Sequence, residues 1–154
     1  MFGYAGRVLR VNLTDRRVKV DKLDEQTARK FVGGRGLGAK ILFDELKPGI
    51  DPLGPENKLV VAIGVVSGIP FGGNSRHVIM AKSPLTGIWG ESNGSGFFAP
   101  ELRFSGFDAV VVEGKSERPV YLWVHDGEAQ IRDANHLWGK ITGDTQKAIR
   151  EEVK

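Results

Sequence analysis

The chain contains no cysteine. Disulfides, thiolate zinc sites and Cys-ligated iron–sulfur clusters are therefore excluded within it. Histidine is scarce too. His77, His125 and His136 stand far apart, with no HxH or HxxxH pair, so a His-built metal site is not expected. No apolar run approaches the roughly 18 residues needed to span a bilayer. The opening MFGYAGRVLRVNLTDRR lacks a charged segment followed by an apolar one, so no secretion signal is read and a cytoplasmic location is expected, with no membrane partner. Like charges do not run together: 22 basic and 19 acidic residues are scattered, giving a net charge of +3. The pI of about 9.3 hints at an anionic partner. Without a helix-turn-helix or RNP-like pattern, however, nucleic acid is not expected.

What remains is a globular composition. The 154 residues are 40% hydrophobic and 27% charged, enough for one domain with a real core. Glycine is the outlier, at 21 residues or about twice ordinary usage. Alternation in GRVLRVNL and RVKVDKL, around the turn Thr14-Asp15-Arg16, predicts an N-terminal hairpin. Asp24 is placed to cap a helix through EQTARKFV that Gly33-Gly34 stop, and LGAKILFDELK is a second, amphipathic helix ending before Pro48. KLVVAIG, HVIMAKS and IWGE read as strands and PELRFSG as a short helix. AVVVEG is a further strand, followed by PVYLWVHDG and EAQIRDA as a hairpin turning at Asp126-Gly127. DTQKAIREEV forms a closing helix with a solvated Lys/Glu face. The order β-β-α-α-β-β-β-α-β-β-β-α mixes hairpins with helices, so the expected fold class is α+β with mixed β-sheets.

Three Gly-rich stretches stand at element ends: GGRG at 33–36, PFGGNSRH at 70–77 and SNGSGFF at 92–98. None matches GxGxxG after a strand with an acidic residue downstream, nor the phosphate loop GxxxxGKS/T. Free amides with little side-chain bulk suit phosphate or another anion. Arg35 and Arg76 would add planar forks for its oxygens. Each loop taken alone reads equally well as a tight structural bend. Pro100 fits the first turn of a helix, which predicts a helix from Ala99 to about Ser105 and leaves 93–96 as loop facing a ligand. The tryptophans Trp89, Trp123 and Trp138 are expected mainly in the core, and His77 as a packed or surface residue. Lys82 reads either as an anion contact or as solvated. Glu91 lacks the partner acid that acid–base chemistry would need.

Taken in order, GRVLRVNL, GGRGLGAKIL, DPLGPENKLVVAIG, KSPLTG, SNGSGFFAPELRFSGFDAVVVEGK and RDANHLWGK resemble the N-terminal domain of the aldehyde ferredoxin oxidoreductase family, over essentially the whole chain. The resemblance implies a saddle of two β-sheets carrying a tungsten or molybdenum bis-pterin cofactor, with dithiolene sulfurs on the metal and magnesium bridging the phosphates. It implies that Asn93 offers its backbone carbonyl to magnesium, a hard cation that wants oxygen. Gly94, Ser95 and Gly96 would contact the pterin. Arg76 would lie between pterin and a 4Fe-4S cluster that this chain does not ligate. Two departures stand out: the family commonly has Ser then Gly after the Asn, whereas here Gly94 precedes Ser95, and Pro100 replaces a small residue. On this reading residues 1–154 are an N-terminal cofactor-binding domain, incomplete and with later domains absent, since members of the family are several-fold longer and the resemblance implies a second Gly/Arg-rich pterin loop after residue 154. Its partners would be the remaining enzyme domains and ferredoxin, with a homodimer left open. Catalytic residues are not assigned, and the isolated chain is expected to be inactive. The alternative is a separate, non-catalytic cofactor-binding or assembly subunit.

Overall fold

Alternating apolar residues make β1 (Arg7–Asn12), and a tight turn returns the chain as β2 (Arg17–Lys22), antiparallel with Val11 opposite Val18. The structure, a computed structural model, describes residues 2–153. Asp24 caps α1 (Glu25–Phe31) by accepting from the Thr27 amide at 2.8 Å. The helix ends at Val32, and α2 (Gly34–Glu45) follows at once. Then come β3 (Lys58–Ile63), β4 (His77–Lys82), β5 (Trp89–Gly94), α3 (Phe98–Phe104) and β6 (Ala109–Glu113). The chain finishes with β7 (Val120–His125), β8 (Glu128–Asp133), a 3-10 turn at Asn135–Leu137 and α4 (Thr142–Glu152).

Six strands form one mixed sheet in the order β2-β1-β6-β3-β4-β5, in which β6 runs parallel to β1 and antiparallel to β3. β7 and β8 form a separate two-stranded sheet. Their turn has positive φ at both Asp126 and Gly127, the backbone that matches hairpin twist. The α+β expectation with mixed sheets holds, and the strands and α-helices follow the expected order.

The large sheet is covered on both faces. α1 and α2 pack Ala28, Leu37, Ile41 and Leu42 onto Val8, Val60 and Val111. The opposite face, bearing Leu9, Val11 and Val110, is covered by Ala99 and Leu102 of α3, by Phe107, and by Leu122 and Ile131 of the hairpin. This explains why the run AVVV has no polar alternation: consecutive side chains of β6 enter different cores.

Two polar devices fix the layers. Arg10 of β1 donates to both carboxylate oxygens of Glu45 in α2 at 2.6 Å and to Asp21 of β2 at 3.0 Å. Burial pushes the Glu45 carboxyl upward, but its bonds to Arg10 and the charge of Lys58 outweigh this and hold it below the ordinary value near 4.5. A depressed folded pKa stabilises fully above the unfolded value, and that stability is lost as pH falls through the folded one. Glu45→Gln is therefore expected to lower the melting temperature at pH 7 and to flatten its decline below about pH 4.5, as acid-titrated thermal melts would show. The second device is Asp108, only 2% exposed. It accepts the amides of Ala5 at 3.1 Å, Gly6 at 2.6 Å and Arg7 at 3.1 Å, and pairs with Arg103 of α3. Arg103 also donates to the Gly64 carbonyl at 3.2 Å, so one cluster ties the N-terminal segment, α3 and the exit of β3.

Several expectations are corrected. Asn93 and Gly94 are not loop: β5 extends through them, paired with Val78 and His77, because the flat small-residue backbone continues the ladder. The helix after them starts one residue early, at Phe98, with Pro100 still in its first turn. Trp138 is not core but 79% exposed. Trp123 is half-buried, its ring centroid 3.7 Å from that of His125 and 3.7 Å from the Arg132 guanidinium carbon. Trp89 lies on the surface. Lys82 is neither solvated nor an anion contact, since its ammonium donates to the Ile50 carbonyl at 2.6 Å.

Candidate functional site

The three Gly-rich stretches are far apart in sequence but meet at one end of the sheet. β3 leaves the sheet at Ile63, and the chain loops through 64–76 before re-entering as β4 at His77. In the antiparallel ladder His77 faces Gly94, the last residue of β5. At the same end, Gly33 lies against the Ile63 carbonyl and Val65, while Gly34 lies against Val78. Strand order therefore gathers the segments 33–36, 64–77 and 92–98.

The loop 64–76 is held from within. The Gly64 amide donates to the Arg76 carbonyl at 3.0 Å. The buried Ser67 hydroxyl donates to the carbonyls of Asn74 and Arg76 at 3.2 and 3.4 Å. The Asn74 amide donates to the Ile69 carbonyl at 2.7 Å. Arg76 itself is exposed and, among the described residues, pairs with no carboxylate. Its neighbours both reach the small-residue segment: the Ser75 hydroxyl donates to the Gly96 carbonyl, and the His77 ring lies against Gly94. Arg76, Asn93, Gly94, Ser95 and Gly96 are thus brought together. Gly96 has φ of +97° and nothing within 4 Å of where a side chain would begin. A side chain there would enter open space, and the positive φ is a conformation that glycine adopts without strain.

Arg35 is a correction. It does not offer a free fork to an anion, because its guanidinium is engaged by Glu91 of β5, with Nε to Oε2 at 2.5 Å. Glu91 also accepts from the Trp89 indole at 3.2 Å and the Asn93 side-chain amide at 3.4 Å. The hydrogen bond from Arg35, ahead of the other contacts, holds the Glu91 carboxyl below the usual carboxylate range. Glu91 thus contacts the Asn93 side chain and neutralises Arg35, which, among the described residues, leaves Arg76 without a carboxylate partner at this end. Sequence reasoning missed Ser75 as the link between the loops, and its only signal was a place beside Arg76. It missed the aromatic fringe as well: Phe71, Phe97, Phe98 and Phe104 are all exposed around this end, an apolar surface of the kind that marks an interface. Among the described residues no group of three or more His, Asp or Glu is placed to hold a metal, and no helix is long and apolar enough to cross a membrane.

Residues 8–154 match the sequence profile of the family described as aldehyde ferredoxin oxidoreductase, N-terminal domain. The chain belongs to the aldehyde ferredoxin oxidoreductase family. It is 46% identical over 153 residues to a tungsten-containing aldehyde ferredoxin oxidoreductase of Pyrococcus abyssi and equally so to one of Thermococcus kodakarensis, in each case over 99% of this chain and 25% of the relative. A Pyrococcus furiosus protein named aliphatic sulfonate oxidoreductase, WOR-like subunit, is 38% identical over 162 residues, again covering 99% and 25%. Among solved structures, the BamBC active-site complex of benzoyl coenzyme A reductase, with 1,5-dienoyl-CoA, superimposes with a TM-score of 0.95 and 37% identity, over 99% of this chain and 23% of that one. The chain thus spans about a quarter of the length of its curated relatives and has the fold of the family's N-terminal region.

Proposed function

We propose that this chain is the cofactor-cradling N-terminal portion of a cytoplasmic tungsten (or molybdenum) bis-pterin oxidoreductase that oxidises aldehydes to carboxylic acids and passes electrons to ferredoxin. The observation that carries the reading is the meeting of Arg76, which pairs with no carboxylate among the described residues, with the small-residue segment 93–96 at one end of the sheet. The residues present fit such a group. Open space at Gly96 admits a flat ligand to the main chain, and an uncommitted guanidinium suits its phosphates. Asn93 would present its backbone carbonyl to the bridging magnesium, while Gly94, Ser95 and Gly96 would lie against the pterin. Arg76 would offset phosphate charge and that of a nearby 4Fe-4S cluster, whose ligands come from outside a chain with no cysteine. When bound, the metal centre would supply the two-electron chemistry, with water as the oxygen source. This chain's share is binding and orientation.

The exposed aromatics around the site favour a longer protein in which further domains cover them. Aldehyde is preferred over the sulfonate of the WOR-like relative because identity to the aldehyde enzymes is higher, 46% against 38%. The test is to express the intact polypeptide carrying these residues anaerobically, and to measure metal, pterin and aldehyde-dependent reduction of ferredoxin. Stoichiometric tungsten or molybdenum with pterin and turnover is the expected result. An intact protein holding neither metal nor pterin would contradict the proposal. Cofactor without turnover, restored by a separate cluster-bearing protein, would favour the assembly-subunit alternative.

A further inference from the structure

The glycine at 94 invites an obvious explanation, that a side chain would obstruct a ligand. The geometry points elsewhere: we infer that His77 is a positioning residue whose ring, packed against the end of β5, sets where the 93–96 backbone stands, and that this ring is what requires glycine at 94. The inference rests on the cofactor reading for its functional consequence. A Cβ built on Gly94 would lie 2.5 Å from His77 Nε2 and 2.6 Å from Cε1, closer than real Cβ contacts allow. Gly94 is not among the glycines with positive φ, so backbone conformation makes no demand for glycine there. Gly96 is the reverse case, with positive φ and open space.

The ring is half-buried and has neighbours on its own face of the sheet. His77 and Gly94 are direct partners across the antiparallel ladder, so their side-chain directions share one face. On that face Phe98 of α3 lies 4.8 Å from the imidazole, centroid to centroid. His77 Nδ1 is buried and, among the described residues, has no hydrogen-bond partner. Its contacts with Phe98 and the end of β5 are packing contacts, and on this inference the ring acts as a spacer. Asn93 lies on the other face, where Glu91 holds its side chain. The end of β5 is thus fixed from both sides, by the imidazole on one and a carboxylate on the other.

A double-mutant cycle in the intact, cofactor-bearing protein tests this. Gly94→Ala is expected to lower both the melting temperature and pterin–metal content. Adding His77→Ala is expected to return both towards the values of His77→Ala alone, because the ring the methyl strikes is gone. His77→Ala alone is expected to speed hydrogen exchange of the amides of 94–97 about tenfold while β1 and β6 stay protected, a selective loosening that general destabilisation would not give. A double variant no better than Gly94→Ala overturns the inference, as does unchanged exchange in His77→Ala. If Gly94→Ala yields no soluble protein, recovery of soluble protein on adding His77→Ala supports the inference and continued loss overturns it. Wild-type protein without cofactor would defeat the proposed function instead, while the melting and exchange measurements still decide the role of His77.

Discussion

Asp108→Ala is expected to destabilise the protein by about 3–5 kcal/mol, the cost of breaking a buried ion pair from one side. For a chain of this length that is a fall of roughly 6–20 °C in melting temperature. The carboxylate accepts three consecutive amides, from Ala5, Gly6 and Arg7, besides pairing with Arg103. Alanine would orphan all three donors and leave a guanidinium buried without its counter-charge. Removing both partners, as Asp108→Ala with Arg103→Met, is expected to cost less than Asp108→Ala alone, because no unpaired charge remains. Thermal or urea unfolding of the three variants measures this. Arg103 also holds the Gly64 carbonyl, where the loop to Arg76 begins. The same substitution is therefore expected to loosen the site as well as the core.

Arg76→Ala is expected to weaken retention of an anionic cofactor by roughly 10- to 100-fold, the worth of about 1.5–3 kcal/mol for hydrogen bonds to a charged group. Arg35→Ala is expected to do far less, although Arg35 also sits in a Gly-rich motif. The difference lies in partners: Arg35 is neutralised by Glu91, whereas no carboxylate among the described residues pairs with Arg76. Metal and pterin content after desalting, in purified intact proteins, separates the two. Equal losses in both variants would mean that the Arg35–Glu91 pair opens to bind the ligand.

The fold was legible because its signals are local. Asp24 caps α1 as its sequence position predicts, alternation gives β1 and β2, and Asp-Gly turns the last hairpin. Misreadings arose where tertiary pairing overrode local chemistry. Asn93 and Gly94 look like loop by composition, yet β4 lies alongside and recruits them into the ladder. Trp138 looks like core by residue type, but among the described residues nothing packs over it and it stands 79% exposed. The site was legible in part. The residues flanking Arg76 do reach the segment 93–96, but the engagement of Arg35 by Glu91, 56 positions away, and the His77 ring behind Gly94 depend on strand order, which no sequence spacing encodes.

The most direct measurement is a crystal structure of the intact protein purified with its cofactor, with the metal located by anomalous scattering. The account predicts a phosphate of the bound cofactor within hydrogen-bond reach of the Arg76 guanidinium and its pterin against the backbone at 94–96. A cofactor seated elsewhere, with Arg76 and Asn93 still facing only solvent or protein, would contradict it.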